Sequence, residues 1–65
     1  MKFIAVADNK KNIRAIADQL RSMGCSIHQV MKITGVITGD SGQLSLADIK
    51  IKGIRSVEED RTITL

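Results

Sequence analysis

Lys2-Phe3-Ile4-Ala5-Val6-Ala7-Asp8-Asn9 opens on a short apolar run with β-branched members and ends on two helix-capping side chains. The run reads as a strand over residues 2–7. Asp8 and Asn9 each carry a short side-chain oxygen that can accept a free backbone N–H at a helix start. The period then changes. Ile13, Ile16, Ala17, Leu20 and Met23 recur at helical spacing, while Lys10, Lys11, Arg14, Asp18 and Arg21 lie off that stripe. Gly24 suits the positive φ past a last helical turn, so the pattern predicts a helix over residues 10–23.

Residues 26–32 read as a second strand with imperfect alternation: Ile27 and Met31 share one parity and Val30 takes the other, which suggests a bulge. Ile33-Thr34-Gly35 has the look of a hairpin turn, and residues 36–38 form a third strand that Gly39-Asp40-Ser41-Gly42 ends. Residues 45–52 are ambiguous. Ser45 and Asp48 stand in a capping-box relation, with Asp in the place of Glu, and Leu44, Ala47 and Ile51 share a helical face. Ile49 and Ile51 nevertheless alternate with Lys50 and Lys52 as in a strand. The capping relation and Gly53 favour a short helix there. From Ile54 the chain is extended: Val57, Ile63 and Leu65 have one parity, and Glu58, Asp60, Thr62 and Thr64 the other.

The order is β-α-β-β-α-β, and its predicted fold is an α+β, ferredoxin-like βαββαβ sandwich: a four-stranded antiparallel sheet with two helices on one face. The second sheet face stays open to a partner. With 65 residues and 7.1 kDa, the chain is read as one domain, 1–65. A domain of this size buries roughly 60% of the surface its unfolded chain exposes, so its stability is marginal.

Composition excludes several chemistries. One cysteine forms no intrachain disulfide, and one cysteine with one histidine falls short of the four ligands of a structural zinc site. No run approaches the 18 or more apolar residues of a membrane span. The polar turn after Ala7 leaves too short a core for a signal peptide, and the free thiol fits a reducing, cytoplasmic setting, which a trimmed precursor fits equally. Net charge is +3 overall, but residues 1–32 carry six basic and two acidic side chains. That excess reads first as a solvated helix face. Nucleic-acid binding through Lys10, Lys11, Arg14 and Arg21 is a weaker reading, and it demands salt-dependent association.

Catalytic readings are also weak. A nucleophile needs a neighbouring base, and Cys25 and His28 have opposite parity on one strand. No G-x-x-x-x-G-K-[ST] loop is present. Phe3 is the sole aromatic, too few for base stacking, and no C-x-x-C pair exists for copper transfer. The chain is therefore read as a binding protein with no cofactor, not an enzyme.

The C-terminal stretch is the most informative. Glu58-Glu59-Asp60 places three consecutive acids in a strand, where Asp and Glu are disfavoured. Acids on an edge strand discourage aggregation. The β-prone tail beyond them has the character of a segment that adds itself to another protein's sheet edge or cleft.

Gly53-Ile54 followed by Ser56-Val57-Glu58-Glu59-Asp60 resembles the terminal signature of the subtilisin propeptide-like protease inhibitors. Phe3-Ile4-Ala5-Val6 resembles that family's first strand, and Gly35-Val36-Ile37-Thr38-Gly39 its third, especially in small free-standing bacterial members. The resemblance spans nearly the whole chain and implies the same βαββαβ fold. It implies a mechanism too. The open sheet face docks on two parallel surface helices of a subtilisin-like serine protease, and Glu58 and Asp60 cap the N-termini of those helices. Glu59, of opposite parity, stays out of the contact. Arg61, Thr62, Ile63, Thr64 and Leu65 enter the protease cleft as a product-like strand. The family pattern carries one residue more after this Asp. Aligned without a slip, Ile63 falls fourth from the scissile bond and Leu65 second.

The resemblance thus implies a monomer that inhibits, and also chaperones, a subtilisin-like protease, with no part for nucleic acid or membrane. The alternative is a small ligand-binding regulatory module of ferredoxin-like fold, which predicts an edge-to-edge dimer with a ligand between its sheets.

Overall fold

The computed structural model describes residues 1–60. The elements are β1 (Lys2–Ala7), a 3₁₀ turn (Lys10–Asn12), α1 (Ile13–Ser22), β2 (Ser26–Met31), β3 (Val36–Asp40), α2 (Leu46–Ile49) and β4 (Ile54–Glu59). Every sheet pairing is antiparallel, in the order β2-β3-β1-β4. This is the ferredoxin-like α+β arrangement: β1 and β3 are central, β2 and β4 are edges, and each helix connects two strands that are not neighbours. No described helix is long and apolar enough to cross a membrane.

The first helix begins differently from its sequence pattern. Asn9 caps a 3₁₀ turn by accepting the Lys11 N–H on its side-chain oxygen at 3.0 Å, and regular α-helix starts only at Ile13. Lys10 and Lys11 put positive charge at the positive end of the peptide dipoles, with no acid in the first turn to offset it. The other end follows the expected design. The Cys25 N–H reaches the Leu20 carbonyl at 3.0 Å and the Gly24 N–H reaches Arg21 at 3.0 Å, with Gly24 at φ 107°. This is a Schellman ending, which only glycine accommodates without strain. It turns Cys25 into the core.

Phe3, Ala5 and Ala7 of β1 face the helices and meet Ile13, Ile16, Ala17, Leu20, Ile37, Ile49 and Ile54 in one apolar cluster. Phe3, Leu20, Ile37 and Ile49 are fully buried. β3 runs two residues beyond its expected end because Gly39 continues the ladder opposite Phe3 and Ile27. A Cβ on Gly39 meets the Ser26 carbonyl oxygen and lies 3.2 Å from Phe3 Cζ. Glycine here makes room for the phenylalanine and does not terminate the strand.

The irregularity in β2 is a bulge between Ile27 and Gln29 that leaves His28 as the extra residue. The bulge shifts the phase of the strand. Ile27 and Val30 therefore both pack on the core, and Met31, paired with Val36, takes the other side. Plain alternation assigns those faces wrongly.

α2 is a single turn, not the eight residues its pattern suggested. Ser45 Oγ accepts the Asp48 N–H at 3.1 Å and the Asp48 carboxylate accepts the Ser45 N–H at 3.0 Å, a complete capping box. Lys50 then leaves the helical region at ψ 70°. Ile49 is the core residue of this turn, while Ala47 is exposed. Extending the chain after Ile49 lets Ile51 also pack against the core.

Candidate docking face

The sheet face opposite the helices is set by the β1 registers. Lys2, Ile4 and Val6 point away from the core and lie opposite Asp40, Thr38 and Val36 of β3. On the other side Ile4 is opposite Glu58, and Val6 is opposite Ser56. Ile4, Val6, Val36 and Thr38 are half-buried although no helix covers them; Glu58 is exposed. The face thus has an apolar middle, where neighbouring side chains shield one another, and a charged end.

Glu58 stands opposite Ile4 on the open face. Asp60 follows the end of β4 with the same parity, and its N–H donates to the Lys2 carbonyl at 2.9 Å. Its backbone is thereby tied to β1, and the residue is half-buried. Glu59 is paired with Phe3 and so belongs to the helix side. The structure separates Glu59 from the other two acids as strand parity requires. Arg61, Thr62, Ile63, Thr64 and Leu65, expected to form the cleft-entering tail, lie outside the described residues.

Sequence reasoning missed Asp40, which it read as part of a turn. Asp40 closes β3 at the same end of the face and binds the Met1 ammonium at 2.9 Å and the Gly42 N–H at 2.8 Å. Those contacts hold its carboxyl below the usual range, the Gly42 hydrogen bond contributing most, the terminal ammonium next, and the charge of His28 a smaller part. Ser41, almost fully buried, fixes the same corner: its hydroxyl donates to the Leu44 carbonyl at 2.9 Å, and its N–H donates to the Met1 carbonyl at 2.8 Å. A chain segment rich in Gly, Asp and Ser signals a turn whether or not its Asp also meets the chain's N-terminus, so sequence alone does not show this contact.

Cys25 and His28 do not form a pair. Cys25 is buried in the core, whereas His28 sits exposed on the β2 bulge. Burial pushes the Cys25 thiol up, with the Asp40 charge adding to it. A reactive thiolate is disfavoured on both counts.

No family model, curated protein or solved structure matches the chain.

Proposed function

We propose that this chain binds and inhibits a subtilisin-like serine protease through its open sheet face, in the manner of the propeptide-like inhibitors its sequence resembles. The observation that carries the reading is the Ile4–Glu58 register, which puts an exposed carboxylate beside the half-buried apolar middle of an uncovered face. An apolar middle contacts the flanks of two parallel helices. Glu58 and Asp60 then meet the helix N-termini, where unpaired N–H groups and partial positive charge accept a carboxylate. Each such contact contributes about 0.3–1 kcal/mol when exposed and up to about 2 when partly buried.

Residues 61–65 enter the cleft as an added strand. Main-chain pairing supplies affinity, and alternate side chains supply specificity. Because the sheet holds the base of the tail, less conformational freedom is lost on binding. The same docking templates the folding of the protease. The protein acts as a monomer in a reducing, cytoplasmic compartment, consistent with its single buried thiol, and works without cofactor, nucleic acid or membrane.

The test is a peptide-hydrolysis assay with a broad-specificity subtilisin, paired with refolding of the denatured protease. The intact chain slows hydrolysis and raises the refolding yield, and deletion of Thr62–Leu65 removes the inhibition. Equal potency after the deletion refutes the tail mechanism, and no inhibition by the intact chain refutes the function.

A further inference from the structure

A second surface lies on the helix side of the sheet, away from the open face. Arg14, Ala17, Asp18 and Arg21 follow one another at helical intervals along one side of α1, and Val30 and Lys32 lie two apart along and just beyond β2. Together they line a groove of about 390 Å³. Its lining mixes apolar and charged side chains: Ala17 is buried and Val30 half-buried, while Arg14, Arg21 and Lys32 are exposed. Asp18 neutralises Arg21 at 2.9 Å. Arg14 and Lys32 have no acidic partner among the described residues.

This cationic groove runs beside a sheet edge. β2 pairs only with β3 among the described strands, so its outer row of N–H and C=O groups is open to another strand. We propose that the groove binds an extended acidic peptide, whose backbone pairs along β2 and whose alternate carboxylates sit against Arg14, Arg21 and Lys32. The inference is independent of the protease reading and uses none of its residues.

The spacings are compatible. A strand added to β2 turns every second side chain toward the helix side, at intervals of about 6.7 Å. Arg14 and Arg21 are seven helical positions apart, about 10.5 Å along the axis. Carboxylates at alternate positions therefore span that separation within two repeats. A polypeptide fits better than a nucleic acid because only a polypeptide can continue the ladder, and because Phe3, the chain's one aromatic, is fully buried and cannot stack on bases. A second copy joined symmetrically through β2 fits worse, since it brings two sets of these cations together.

The probe is a fluorescein-labelled nine-residue peptide of alternating glutamate and valine, followed by fluorescence anisotropy and by backbone amide shifts of the full chain. Saturable binding is expected, with shifts concentrated in α1 and β2. The R14Q/K32Q double variant, altered at exposed positions only, binds about tenfold more weakly, as expected for the loss of two solvent-exposed ion pairs. A peptide with glutamine for glutamate, and one N-methylated on the pairing edge, are each weaker by a similar factor against the unaltered chain, so the test stands even if the double variant is unstable. Absence of saturable binding, equal affinity of either control peptide, or shifts confined to the open face overturns the proposal. So does a single-stranded oligonucleotide that displaces the peptide and binds more tightly. Subtilisin inhibition by R14Q/K32Q stays at the level of the unaltered chain, which separates failure at this groove from failure of the protease reading.

Discussion

Glu58, on the edge strand β4, lies directly across the β1–β4 ladder from Ile4 of the inner strand β1. The pair joins an apolar platform to a carboxylate on one surface. It depends on register, since a slip of one residue turns Glu58 toward the helices and Glu59 outward. The backbone bond from the Asp60 N–H to the Lys2 carbonyl, at 2.9 Å, holds that register at the end of the strand.

Replacement of Glu58 or Asp60 by alanine weakens subtilisin inhibition by about two- to fivefold each, the equivalent of 0.3–1 kcal/mol at a helix N-terminus. Glu59→Ala leaves it unchanged, because Glu59 is paired with Phe3 on the helix side. Inhibition constants for the three variants check the assignment, and a larger loss from Glu59→Ala than from Glu58→Ala contradicts it.

Gly39→Ala destabilises the domain by about 1–3 kcal/mol, because the new methyl meets the Ser26 carbonyl and the Phe3 ring. The obstacle on one side is backbone and on the other a fully buried side chain, so neither yields easily. Urea unfolding measures the loss, and a midpoint equal to that of the parent shows that the sheet relaxes around the methyl.

Ile49→Ala removes the one fully buried side chain that α2 contributes and costs about 2–5 kcal/mol. Domains of this size have marginal stability, so the variant is largely unfolded at 37 °C. Far-UV circular dichroism against temperature reads this directly. Ala47→Gly serves as the control: it changes an exposed residue of the same turn and costs about 1 kcal/mol through helix propensity alone.

Acid weakens the fold through two carboxyls. Asp40 is held below the usual range first by the Gly42 N–H, and Asp48 first by the Ser45 N–H. A carboxyl whose pKa is lowered by folding favours the folded state most above its unfolded pKa, about 3.9, and loses that contribution as pH falls through the folded value. Stability therefore declines on acidification below about pH 4, and Asp40→Asn combined with Asp48→Asn flattens the decline. Denaturant midpoints from pH 7 to pH 2 test the sign. An equally steep decline in the double variant places the acid sensitivity elsewhere.

Cys25 reacts with an aromatic disulfide reagent at pH 8 about tenfold or more slowly in the folded chain than in denaturant, since burial both blocks access and disfavours the thiolate. Equal rates place the thiol at the surface.

The alternation of β1 and the stripe of α1 were legible because both elements bury one face and expose the other; Phe3, Ala5, Ala7, Ile13, Ile16, Ala17 and Leu20 are all core residues. The face of β2 was not legible. The His28 bulge reverses parity partway along, and the residues around it give no sign of where the extra one falls. α2 was half legible: Ser45 and Asp48 announce the helix start, but its end is set by burial of Ile49 and Ile51, a tertiary demand that overrides the local pattern. On the candidate face, parity alone separates Glu58 from Glu59. Asp40 joins that end of the face only through β1–β3 pairing and the Met1 ammonium, contacts 38 or 39 residues apart in the chain. The cations of α1 read as a solvated face until β2 is placed beside them.

The most direct measurement is backbone amide mapping of the full chain on titration with a subtilisin whose nucleophilic serine is replaced by alanine, so that nothing is cleaved. Docking through the open face shifts the amides of Ile4, Val6, Val36, Thr38 and Glu58 at near-stoichiometric protease and leaves the outer side of α1 unperturbed. Shifts centred on α1 and α2, or none at a tenfold excess of protease, contradict it.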